Sequence, residues 1–101
     1  MTMREISAAQ AVEQAQRGDT VILDVRPQVV RHQGSVPGAV VVEPGELTGQ
    51  LRANPRLRRD AEVAVVALNA QTEEIESRLS RLGFTKLARV AGGFKALRER
   101  S

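Results

Sequence analysis

Three short, unbroken apolar runs constrain this chain most: Val21-Ile22-Leu23, Val40-Val41-Val42 and Val63-Ala64-Val65-Val66. A strand that alternates apolar and polar residues buries one face, whereas a strand that is apolar at every position is buried on both. Helix-period segments lie between the runs, so strand and helix alternate along the chain. That order predicts an α/β protein with a parallel sheet covered on both faces.

The local signals fill in the remaining elements. Arg4-Glu5-Ile6 reads as a short opening strand. Ser7 with Gln10 makes a capping-box pattern, Ala8, Ala11, Val12 and Ala15 then share one helical face, and Gly18 ends the helix. Pro27 fits the first turn of a short helix through Arg31, where its missing N–H would have no helical acceptor anyway. Residues 45–52 are predicted as a helix broken at Asn54-Pro55. Ile75, Leu79 and Leu82 recur at helical spacing, Glu74 stands four residues before Arg78, and Gly83 is the expected left-handed cap.

A chain of 101 residues is one domain's worth, predicted here as a single unit over residues 1–101. It can bury one core without disulfides or metal. With Cys 0 it offers no disulfide, thiolate ligand or thiol nucleophile. No segment approaches the run of about 18 apolar residues that spans a bilayer, and the N-terminus lacks a signal-type apolar region. A soluble, cytoplasmic protein with no membrane association is therefore expected.

The formal net charge is +3, and Lys86 and Lys95 are the only lysines among 15 basic residues. The densest basic cluster, Arg52, Arg56, Arg58 and Arg59, falls before the fourth strand. Clustered arginines can contact phosphates. With no Trp or Tyr, and with Phe84 and Phe94 at core-type positions, the chain has no aromatic platform for stacking bases. A solvated loop is the expected role of that cluster, and nucleic acid is not an expected partner.

Four segments occur in a telling order. They are Val21-Ile22-Leu23-Asp24-Val25-Arg26 leading to Gly34-Ser35-Val36-Pro37-Gly38-Ala39; a strand over residues 63–68; a helix over residues 73–82 stopped by Leu82-Gly83-Phe84; and Leu87-Ala88-Arg89-Val90-Ala91-Gly92-Gly93-Phe94. In this order and spacing the chain resembles the rhodanese-like domain family over about residues 3–97. The resemblance implies a three-layer α/β/α fold with a five-stranded parallel sheet of order 1-5-4-2-3. It also implies that Asp24 and Arg26 are structural, the carboxylate organising neighbouring loops and the guanidinium bridging to nearby groups. Gly34, Pro37, Gly38, Gly92 and Gly93 complete the family motif as turn formers. Ser35 stands where the family often has histidine, and Leu97 where it often has tryptophan.

In active rhodaneses the loop after the fourth strand begins with the cysteine that becomes a persulfide. Backbone N–H groups curl around its sulfur, and the next helix N-terminus favours the negative charge. Only a thiolate can accept a sulfane sulfur and hand it on. Here the loop is Ala67-Leu68-Asn69-Ala70-Gln71-Thr72, and the counterpart of the cysteine is Ala67 or Leu68. The family's usual glycine, arginine and closing serine are also missing from it. Glu73, Glu74 and Glu76 instead put negative charge at the helix start, which complements the macrodipole by about 0.3–1 kcal/mol per exposed carboxylate and discourages an anionic substrate.

No catalytic residue, cofactor or metal ligand is assigned. His32 is the only histidine, so neither a histidine metal pair nor a Ser-His-Asp system can be assembled. Gly92-Gly93 is too short and wrongly placed for a nucleotide-binding loop. The sequence reads as a catalytically inactive rhodanese-like domain that recognises another protein or regulates it, with the former active-site loop as the surface. The alternatives are a sulfurtransferase working with a cysteine supplied by a partner, and a domain that binds a small anion at the loop or the arginine cluster.

Overall fold

The computed structural model describes residues 4–27, 34, 36, 38–55 and 57–100, with the side chains of Asn69, Glu99 and Arg100 left aside. The predicted helix through Arg31, and His32, Ser35, Pro37 and Arg56, lie outside the described residues. The strands are β1 (Arg4–Ile6), β2 (Thr20–Asp24), β3 (Val40–Val41), β4 (Glu62–Val66) and β5 (Leu87–Val90). The helices are α1 (Ala8–Gln16), α2 (Leu47–Ala53), α3 (Thr72–Arg81) and α4 (Gly93–Arg100), with 3-10 turns at Pro44–Glu46 and Asn69–Gln71.

All strand pairs are parallel, in the order β1-β5-β4-β2-β3. The unbroken apolar runs of β2 and β4 follow from strand alternation, because both faces there meet helices; the run at Val40-Val41-Val42 does not, since β3 is an edge strand and Val41 is 43% exposed. Leu23, Val63 and Val65 point to one face, against Leu47 and Leu51 of α2 and Ile75 and Leu79 of α3. Ile22, Ala64, Val66, Ala88 and Val90 point to the other, against Ala8 and Ala11 of α1 and Leu97 of α4. Beyond α3, over β5 and β1, an open groove of about 1180 Å³ remains, lined in part by Glu5, Glu62, Glu76, Lys86 and Arg89.

The helix ends are set locally. At the start of α1, Gln10 N–H donates to Ser7 Oγ and Ser7 N–H donates to Gln10 Oε1, both at 3.0 Å. At the end of α3, Gly83 N–H donates to the Ser80 carbonyl and Phe84 N–H to the Leu79 carbonyl, both at 3.1 Å. This is a Schellman closure, and Phe84 packs with Leu79 in the same core. Gly83 adopts φ +99, which a side chain would resist.

One local expectation is overturned. Arg78 does not pair with Glu74; its Nη1 donates to the Pro44 carbonyl at 3.1 Å. That contact joins α3 to the turn before α2, and a partly buried carbonyl acceptor replaces an exposed ion pair that contributes little.

Candidate functional site

Parallel α/β sheets place their sites beyond the carboxyl ends of the strands. Two corners stand there, one after β2 and one after β4. Val25 N–H donates to the Val66 carbonyl at 2.9 Å, and Val42 N–H to the Asp24 carbonyl at 3.0 Å, so the end of β2 is stitched to its neighbours on either side.

The β2 corner is closed. Asp24 is fully buried and Arg26 is 2% exposed. Asp24 Oδ1 accepts from Arg26 N–H at 3.0 Å and from Arg26 Nε at 2.9 Å, and Oδ2 accepts from Arg26 Nη2 at 2.7 Å. Nη2 also donates to the Gly34 carbonyl at 3.0 Å, and the guanidinium carbon lies 3.7 Å from the centroid of the Phe94 ring. Gly34 holds φ +142, and a Cβ there would approach Phe94 Cζ to 3.1 Å. One buried pair thus fastens β2, the Gly34 segment and α4 together. A carboxylate enclosed in this way is not presented to a substrate.

The glycines around this end make tight turns. Gly38 has φ +79, and Ala39 N–H returns to the Val36 carbonyl at 3.1 Å. Gly92, just before α4, and Gly93, its first residue, carry φ +78 and +57, and a Cβ on Gly92 would reach within 2.9 Å of Ala96 Cβ.

The β4 corner is open and aliphatic. Ala67 packs on the edge of the α2/α3 core, Leu68 is half-buried and Ala70 is exposed. The loop tightens into the 3-10 turn, with Gln71 N–H donating to the Leu68 carbonyl at 2.8 Å and Thr72 Oγ1 to the same carbonyl at 3.1 Å. α3 follows with no side-chain cap, and Glu73 and Glu74 occupy its exposed first turn. Glu76 departs from the expected acidic helix start. It turns toward the sheet and accepts from Arg89 Nη2 of β5 at 2.5 Å, so its charge is paired away from the loop. Neither Ala67 nor Leu68 carries a nucleophilic atom, and among the described residues no His, Cys, Asp and Glu group could hold a metal ion.

Sequence reading did not connect Arg26 with Phe94, or Glu76 with Arg89. Arginine in a buried strand-end pair and a phenylalanine after a Gly-Gly turn are the only signals for the first. The second has no local signal, because its partners lie on separate elements.

Residues 7–100 match the family model for the rhodanese-like domain. The chain belongs to the rhodanese-like family. Among solved structures, this rhodanese-like domain is similar to a rhodanese-related protein from Thermoplasma volcanium, with 28% identity, a TM-score of 0.71, and coverage of 97% of this chain and 93% of that one. It is similar in fold to the human single-domain sulfurtransferase TSTD1, with 20% identity, a TM-score of 0.73 and coverage of 99% of each chain. The Alr3790 protein from Anabaena sp. shows the same fold at 21% identity and a TM-score of 0.77, with 95% of this chain and 77% of that chain covered. No curated protein sequence matches the chain significantly. Among the described residues no helix is long and apolar enough to cross a membrane.

Proposed function

We propose that this rhodanese-like domain is catalytically silent and serves as a protein-recognition or regulatory module, with residues 67–72 as its contact surface. The reading rests on one observation: the loop that in active members presents the sulfur-carrying cysteine presents Ala67 and Leu68 here, in a chain with Cys 0. No other group can replace the thiolate. The Thr72 hydroxyl donates to the Leu68 carbonyl, and sulfane sulfur transfer needs a nucleophile that forms and releases a persulfide. An exposed Ala70 beside half-buried Leu68 suits contact with another protein better than binding of a small anion.

Two measurements test this. Purified protein should form no thiocyanate from thiosulfate and cyanide above a buffer blank; turnover that survives stringent purification refutes silence. Affinity capture from the native cell should retain a protein that Ala70→Glu no longer retains. If capture is identical for both forms, residues 67–72 are not the contact surface. Turnover that appears only once the captured protein is added would favour a cysteine supplied by that partner.

A further inference from the structure

We draw no further inference here: the strongest candidate, the open groove beyond α3 over β5 and β1, has its Arg4–Glu62 and Arg89–Glu76 charges paired within the protein, and nothing in the structure shows what covers it.

Discussion

The corners after β2 and β4 lie side by side at the same end of the sheet and have opposite characters. At β2, Asp24, Arg26, Gly34 and Phe94 form a closed set in which charge, hydrogen bonds and ring face answer one another inside the protein. At β4, half-buried Ala67 and Leu68 and exposed Ala70 surround a carbonyl that accepts two local hydrogen bonds. At the first corner Asp24, Arg26 and Gly34 are the residues that carry the resemblance to the family's motif, with Ser35 in place of its frequent histidine; at the second, the cysteine, glycine, arginine and serine that the resemblance leads one to expect are missing. The difference separates two demands that active rhodaneses satisfy together: holding the strand ends in place, and presenting a sulfur nucleophile to solvent. The fold needs only the first.

The comparison breaks most readily at Asp24. Asp24→Ala leaves the Arg26 guanidinium buried without its carboxylate, and removal of one member of a buried pair costs about 3–5 kcal/mol. A urea midpoint well below that of the native chain is expected, with Asp24→Asn nearly as damaging because it keeps the shape and loses the charge. An unchanged midpoint for Asp24→Ala would mean that the β2 corner is not what holds the strand ends.

A smaller effect sharpens the same comparison. Phe94→Leu keeps apolar volume on the α1/α4 side but removes the ring face beneath Arg26. The expected loss is about 1–2 kcal/mol, the range for a cation–π contact shielded from water, and it should largely vanish in an Arg26→Met background. A loss of equal size in both backgrounds would assign the role of Phe94 to packing alone.

Much of this was legible in the sequence because the governing interactions are local or periodic. The runs at residues 21–23 and 63–66 announce a doubly covered sheet, and Ser7 with Gln10 and Gly83 mark helix ends through contacts made within a few residues. The features that escaped are contacts between distant elements. Helix-local rules place Glu74 beside Arg78, yet the fold brings the Pro44 carbonyl to Arg78 and Arg89 to Glu76. The arginine cluster before β4 was visible as composition. That Arg58 pairs with Asp60 while Arg52 and Arg59 share a pocket depends on how α2 and the end of α3 pack.

The smallest stability effect belongs to the β4 corner, where the comparison turns on chemistry. Ala67→Cys or Leu68→Cys should lower stability by no more than about 1 kcal/mol, because both positions are only partly buried at the edge of the core, and should give a thiol that reacts in a standard assay. Neither should give appreciable thiocyanate formation. A persulfide or thiosulfate anion needs converging N–H donors and a positive helix end. Here the Gln71 N–H is already taken by the Leu68 carbonyl, and Glu73 and Glu74 stand in the first turn of α3. Replacing residues 67–74 with a family-type loop supplies cysteine, glycine, arginine and serine together and removes both carboxylates, so it should recover far more activity than either point change. Activity from a single cysteine equal to that of the whole graft would show that the anion site persists in this loop, and that the two corners differ by one sulfur atom.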